Sequence, residues 1–294
     1  MNDKGSAIMD DFSPLVRARF DNLTKSEKRI ARYLLRNLDE AAFMSAAELA
    51  DRLGLSEATV VRFARSLNYG GFPEMRTACQ LSFRQRVTHA SRLRGKLNEL
   101  RQDGDIFEQV TATEIDYLTQ ALQTVDRQAI QQAAALLHNT QRIFVFGLGP
   151  SISLVDLLAI RLTRTGRQVI PLTASGREVV EPLIMLNQAD VLFAIGFFDV
   201  TPALRMVLEH AQEVGAACIL LTDTLGSLVG DMAAVTLAAR RGPMAEFHSL
   251  VVPMTIINTL LLEVAKEEQE QAIANLDKLD QLRERFKKTN DSAA

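Results

Sequence analysis

The 294-residue chain is poor in the residue types that define several protein classes. It has only two cysteines, Cys79 and Cys218, no tryptophan, and 6% aromatic residues. Two thiols so far apart in the sequence predict neither a disulfide framework nor a zinc site, and they fit a reducing compartment. The four histidines are scattered without the spacing of metal ligands, so we expect neither a metal nor another cofactor.

Long apolar runs are also missing. The longest apolar segment, residues 250–264, is interrupted by Pro253, Asn258 and Glu263, so it is too short and too polar to span a bilayer. The first residues are acidic and polar, unlike a signal peptide. These features predict a cytoplasmic protein without a membrane partner.

The residues of enzymatic catalysis are sparse. No lysine occurs between Lys96 and Lys266, which excludes Schiff-base chemistry there, and no Ser–His–Asp arrangement is visible. Glu246 and His248 would suit an acid/base pair, but a helix N-terminus, where Glu246 favours the dipole, explains them better. The sequence therefore predicts that the protein is not an enzyme.

Charge, in contrast, is distributed unevenly. The net charge is −3, yet residues 1–100 carry +5 and the remainder −8. A basic N-terminal segment followed by an acidic remainder is typical of a nucleic-acid-binding module attached to a second domain.

Residues 46–65 have the pattern of a helix-turn-helix. Ala50 is small where the two helices would cross, Gly54 suits the left-handed backbone of the turn, and Ser56 can cap the second helix. Buried positions are expected at Val60 and Phe63, and also at Ala64 and Leu67, from their helical spacing.

The opposite face of the second helix suits the major groove of double-stranded DNA. Arginines bind guanine edges and phosphates, and small apolar groups contact thymine methyls. The predicted DNA-binding residues are Ser56, Glu57, Ala58, Thr59, Val61, Arg62 and Arg65. The alternative is a helix hairpin in an unrelated bundle, with the arginines facing water.

The fold class predicted for the whole chain is α + α/β. The N-terminal part is helical throughout, and from residue 142 short apolar runs alternate with helical segments, which predicts a doubly wound five-stranded parallel sheet. The expected strands are 142–147, 168–172, 190–195, 217–222 and 234–238, with helices at 151–165, 176–187, 202–214 and 247–268. The predicted domains are a helix-turn-helix domain (12–85), a helical linker (86–125), the α/β domain (126–270) and a C-terminal helix and tail (271–294).

Ligands of open parallel sheets bind outside the carboxyl ends of the strands. The glycines after the first strand let the backbone approach a ligand, but Ile152 occupies the third position of a dinucleotide fingerprint, which excludes that motif. The predicted ligand-binding residues are Gly147, Gly149, Ser151, Gly196, Thr201, Thr222, Asp223 and His248.

Together these features resemble the RpiR family of bacterial transcriptional regulators, which joins an N-terminal helix-turn-helix domain to a C-terminal sugar-isomerase (SIS) domain. The resemblance covers nearly the whole chain. It rests on residues 23–31, 56–65 and 68–74, which match in order and spacing, and on the G-x-G-x-S of residues 147–151.

The resemblance implies a sequence-specific DNA-binding regulator whose SIS domain forms a homodimer or homotetramer on a pseudo-palindromic operator. Phosphosugar-binding SIS domains carry S-x-S-G-x-T after the third strand, whereas this chain has GFFDVT at 196–201 and keeps only Thr201. The predicted small-molecule effector is therefore a less charged or more apolar metabolite than a sugar phosphate, or the domain only assembles the protein. A sugar-phosphate isomerase with an accessory helical domain and a ligand-independent DNA-binding assembly protein are the competing interpretations.

Overall fold

A computed structural model describes residues 12–86, 88–100, 104–223, 225–242 and 248–291. The described residues form two compact units, one up to residue 100 and the other from residue 104. Each unit has its own hydrophobic core.

The first unit is helical. Capping boxes begin three of its helices. The Thr24 and Ser45 hydroxyls accept backbone N–H groups of Glu27 and Glu48, whose carboxylates bind back to the cap residues, and Thr88 and Ser91 form the same pair of bonds at the third helix. Its helices are α1 (Phe12–Arg19), α2 (Lys25–Arg36), α3 (Leu38–Ala41), α4 (Ala46–Leu53), α5 (Glu57–Ser66), α6 (Phe72–Arg86) and α7 (His89–Glu99).

The core of this unit lies under α5. Val60 and Phe63 of α5 and Leu67 at its C-terminal cap are buried together with Leu49 of α4 and Ile30 of α2, as the helical spacing of these apolar residues predicts. Helix α5 packs against α2, α4 and α6. This packing fixes one face of α5 and leaves the opposite face to solvent.

The second unit alternates helices and strands, which confirms the predicted fold class. Its helices are α8 (Ile106–Thr124), α9 (Arg127–His138), α10 (Ile152–Arg164), α11 (Val180–Leu183), α12 (Pro202–Val214), α13 (Gly226–Val229), α14 (Val251–Glu267) and α15 (Gln269–Asp291). Its strands are β1 (Arg142–Gly147), β2 (Gln168–Leu172), β3 (Val191–Ile195), β4 (Ala217–Thr222) and β5 (Val235–Ala238).

The five strands form one parallel sheet in the order β2-β1-β3-β4-β5. Alternate side chains enter opposite layers: Ile143 and Val145 pack in the layer that contains α9, α10 and α14, whereas Phe144 and Phe146 pack in the layer that contains α12. Both faces of β1 are therefore buried, as expected for a doubly wound sheet.

The segment 176–187 differs from the predicted continuous helix. It consists of a 3-10 helix at Gly176–Val179 followed by the single turn of α11. Pro182 has no N–H and cannot donate the hydrogen bond that would join these turns into one α-helix.

The strand order reverses between β1 and β3, so the segments that follow these strands flank the crevice where ligands of such sheets bind. Among the described residues, no helix is both long and apolar enough to cross a membrane.

Candidate functional site

The α4–α5 pair forms the predicted helix-turn-helix. Gly54 ends α4 with a positive φ of 58°, and its N–H binds the carbonyls of Ala50 and Asp51. Ser56 caps α5, because its hydroxyl accepts the N–H of Thr59 at 3.3 Å. Asn68 closes the turn after α5 with φ of 69°. The sequence thus predicted the roles of Gly54 and Ser56 in this motif.

The structure places the predicted DNA-binding residues on one accessible side of α5. Ser56, Glu57, Ala58, Arg62 and Arg65 are exposed. Thr59 and Val61 are half-buried, so Val61 is only partly accessible on this side of the helix.

A hydrogen-bonded chain orders three of these side chains. The hydroxyl oxygens of Ser56 and Thr59 lie 2.8 Å apart, and Arg62 Nη2 donates to Thr59 Oγ1 at 3.0 Å. Such a chain limits the conformations of a long arginine side chain before any ligand binds, which favours directional recognition.

Glu27 is a further residue of this surface that the sequence did not reveal. Burial raises the pKa of its carboxyl, but hydrogen bonds from the Thr24 backbone, the Thr24 hydroxyl and the Ser66 hydroxyl, with the charge of Arg62, outweigh that effect, so its pKa is lowered. The charge interaction of Glu27 with Arg62 relates α2 to α5, and the spacing of residues along the sequence does not reveal it.

In the second unit, two of the predicted ligand-binding glycines are required for packing. A Cβ on Gly147 would lie 2.7 Å from Val155 Cγ2 and 3.2 Å from Ser151 Cβ. A Cβ on Gly196 would collide with Leu204. Each glycine therefore lets the following helix lie close to its strand. Gly149 differs, since it has φ of 57° and open space around the position of a Cβ.

The segment after β3 makes a tight, strained turn. Phe198 has φ of 67°, and the N–H of Asp199 binds the carbonyl of Phe197 at 2.8 Å, which defines a γ-turn. A positive φ at a phenylalanine is unfavourable, so the turn needs support. Asp223 gives it, because its Oδ1 accepts the N–H of Phe198 at 3.1 Å.

Asp223 also forms a buried ion pair with Arg241. Arg241 Nη2 lies 2.8 Å from Asp223 Oδ2, with the two side chains 8% and 6% exposed. The guanidinium also stacks 4.0 Å from the ring centroid of Phe197. Burial lowers the pKa of Arg241 against the opposing effect of Asp223. Of the two arginines after β5, Arg240 is exposed, but Arg241 is neither solvated nor open to an anion.

The remaining predicted ligand-binding residues have varied surroundings. Thr201 caps α12 by accepting the N–H of Leu204 at 3.1 Å. Ser151 and Thr222 are buried, and no partner of Thr222 Oγ1 occurs in the described part of the chain. The His248 ring lies 6.0 Å from that of Phe198, which places it beside the strained turn.

The proposed pairing of Glu246 with His248 lies partly outside the described residues, since Glu246 is not among them. Within the described ranges, no group of three or more His, Cys, Asp or Glu side chains has the geometry of a metal site.

Comparisons with known proteins agree with this two-part organisation. Residues 11–86 match the helix-turn-helix domain of the rpiR family, and residues 136–263 match the SIS domain. The HTH-type transcriptional regulator HexR of Escherichia coli is 29% identical over 211 residues, 71% of each chain.

Two solved structures share the fold. The sugar isomerase domain of an RpiR transcription factor from Sphaerobacter thermophilus is 26% identical, with a TM-score of 0.57 over 60% of this chain and 99% of that one. The Vibrio vulnificus NanR protein, complexed with ManNAc-6P, is 22% identical, with a TM-score of 0.60 over 92% and 97% of the two chains.

These matches and the α4–α5 geometry define a transcriptional regulator with a helix-turn-helix domain and a SIS domain. The chain belongs to the rpiR family.

Proposed function

We propose that the protein binds a specific operator in double-stranded DNA through the exposed side of α5. The observation that supports this most strongly is the hydrogen-bonded chain from Ser56 through Thr59 to Arg62, beside the exposed Arg65. In this proposal Arg62 and Arg65 contact guanine or phosphate, Ser56 and Thr59 hold the backbone, and Val61 touches a methyl group at the rim of the surface. Glu57 and Ala58 line the same end of the helix.

We further propose that the protein acts as a homodimer or homotetramer in the cytoplasm. Two copies place two α5 helices on successive turns of a pseudo-palindromic operator. The domain boundaries that accompany this proposal are 12–85 for DNA binding, 86–125 for the linker, 126–270 for the SIS domain and 271–294 for the C-terminal helix and tail.

The effector in this proposal is a small molecule less charged than a phosphate dianion. NanR is complexed with ManNAc-6P, but the segment after β3 in this chain offers a dianion little. Asp199 is an exposed carboxylate, Pro202 removes an N–H from the start of α12, and Arg241 already neutralises Asp223. Each hydrogen-bond partner that an anionic ligand lacks reduces its binding free energy by about 1–3 kcal/mol.

The absence of catalytic function is also part of the proposal. Asp223 and Arg241 are engaged with each other, and Thr201 caps a helix, so the strand ends hold no acid/base pair among the described residues. Turnover of an aldose or ketose phosphate by the purified protein would favour the isomerase alternative instead.

The test of DNA binding is capture of genomic fragments on the purified protein at physiological salt, followed by sequencing. We expect a sharp palindromic motif beside a few operons. Arg62→Ala should then weaken binding to that motif by about 1–3 kcal/mol, roughly 5- to 150-fold, if Arg62 contacts a base. The matched control is Arg36→Ala, which removes another exposed arginine at the end of α2. Diffuse enrichment with steep salt dependence would contradict sequence specificity.

The effector is tested by calorimetric titration with sugar phosphates and with the corresponding neutral sugars. A neutral sugar or another uncharged product of the regulated operons should bind, and its phosphorylated form should bind more weakly. Tight binding of a sugar phosphate would overturn this part of the proposal, and DNA binding would be unaffected by that outcome.

A further inference from the structure

The C-terminal helix α15 extends well past its attachment to the second unit. Near its start Ala272 is buried, and Asn275 Nδ2 donates to the carbonyl of Thr165 at 2.9 Å, which fixes this end to α10. From residue 281 to residue 289 every side chain is exposed. At 1.5 Å per residue, the 23-residue helix is about 34 Å long, so roughly its last three turns are solvated on all sides.

An apolar stripe continues along this solvated part. Leu276, Leu282 and Phe286 are 42%, 45% and 67% exposed, and with the half-buried Leu279 they recur every three or four residues. Residues with that spacing share one face of a helix. A short helix that is exposed on all sides is marginally stable in water, so this stripe is suited to a partner helix.

The charges of α15 are divided between its two halves. Residues 269–280 contain three acidic residues and one basic residue, whereas residues 281–291 contain four basic residues and two acidic ones. Asp277 and Arg285 form no ion pair with any residue that the structure describes. A parallel copy of the helix would face like charges, and an antiparallel copy would face opposite ones.

We propose that α15 pairs antiparallel with α15 of a second copy of this chain, through the stripe of Leu276, Leu279, Leu282 and Phe286. The pairing sets Asp277 opposite Arg285 and Asp280 opposite Arg283 of the second copy, and each contact occurs twice because the interface is two-fold symmetric. The inference rests on the proposed homo-oligomer and identifies the surface that holds it together.

The first experiment measures the mass of the full chain by sedimentation velocity. The double variant Leu282→Glu with Phe286→Glu should halve the mass of the particle, whether the wild type is a dimer or a tetramer. The control, Ile184→Glu, makes the same change at a side chain that is 87% exposed on another element, and its mass should match the wild type. An unchanged mass in the double variant, or a monomeric wild type, would overturn the proposal.

The second experiment determines the direction of pairing by cysteine cross-linking. The native Cys79 and Cys218 are buried and give little background. Leu276→Cys mixed with Phe286→Cys should form disulfide-linked dimers, whereas Phe286→Cys alone should not, because its copies lie about 15 Å apart along an antiparallel pair. Cross-linking of Phe286→Cys alone would show a parallel pair and refute the proposal.

Binding of operator DNA, measured on the same variants, separates this inference from the proposed function. If the double variant is no longer dimeric while the wild-type protein still binds a specific half-site motif, the proposal for DNA recognition stands. Unchanged dimers with retained operator binding refute only the role of α15.

Discussion

The ion pair between Asp223 and Arg241 supports the most specific stability prediction. Arg241→Met keeps an unbranched apolar side chain but removes the guanidinium that stacks on Phe197, which leaves the Asp223 carboxylate buried without its cation. Asp223 must still accept the N–H of Phe198, so it cannot turn away from the strained turn without releasing that turn.

The size of the effect follows from this burial. Breaking a buried ion pair on one side typically destabilises a protein by about 3–5 kcal/mol. In a unit of this size each kcal/mol lowers the melting temperature by roughly 2–4 °C, so we expect the melting transition of the second unit to fall by roughly 6–20 °C. The double variant Asp223→Asn with Arg241→Met removes both charges and keeps an oxygen for the Phe198 N–H, so it should recover most of that loss.

Differential scanning calorimetry is the appropriate assay, because the two units need not unfold in one transition. The wild type, Arg241→Met and the double variant are compared at neutral pH, with Arg240→Met as a control at the neighbouring exposed arginine. A change below about 1 kcal/mol in Arg241→Met would refute the reasoning. So would a double variant no more stable than the single one.

Three further predictions concern other parts of the chain. Glu27→Gln should destabilise the first unit at neutral pH. The lowered pKa of Glu27 gives stabilisation that is complete above the usual 4.5 and is lost as the pH falls through the pKa of the folded state. When unfolding is measured as a function of pH, the stabilities of the wild type and the variant should therefore converge at low pH. Gly147→Ala should destabilise the second unit by about 1–3 kcal/mol without any ligand, and Val155→Ala in the same chain should recover part of that loss in urea unfolding. Neither native thiol should react with a disulfide reagent at pH 8, because burial raises the pKa of Cys79 and raises that of Cys218 to about 12, and reaction of the native protein would contradict the described core.

The elements that the sequence predicted correctly are those with local signals. Capping residues, Gly54 and apolar spacing determine α4 and α5, and these depend on residues within one or two turns. The strands at 142–147 and 217–222 match the structure because buried parallel strands are short apolar runs bounded by turn residues. The edge strand at 168–172 also matches, although only Leu172 of its residues is buried. Parallel pairing followed from the alternation with helices.

The features that escaped prediction depend on contacts between distant residues. The charge of Arg62 helps lower the pKa of Glu27, and Asp223 forms an ion pair with Arg241, across parts of the chain that no spacing rule connects. The glycines at 147 and 196 were assigned to ligand binding because the sequence shows a strand end but not the helix that lies against it. Close packing of a helix and close approach of a ligand both require a residue without Cβ, and only the positions of Val155 and Leu204 show that a helix lies there.

The charges of the second unit bear directly on which effector it accepts. Its two buried arginines in the described ranges each form an ion pair with a carboxylate, Arg167 with Glu268 and Arg241 with Asp223, and the half-buried Arg142 pairs with Asp190. An anionic effector at the strand ends would have to compete with Asp223 for Arg241. Its binding would leave the Asp223 carboxylate buried without its cation. A neutral effector exchanges no charge, so its affinity should change little with salt. The salt dependence of effector binding therefore distinguishes an anionic from a neutral effector before either is identified. A steep loss of affinity with salt would show that an anion displaces Asp223, and it would contradict a neutral effector.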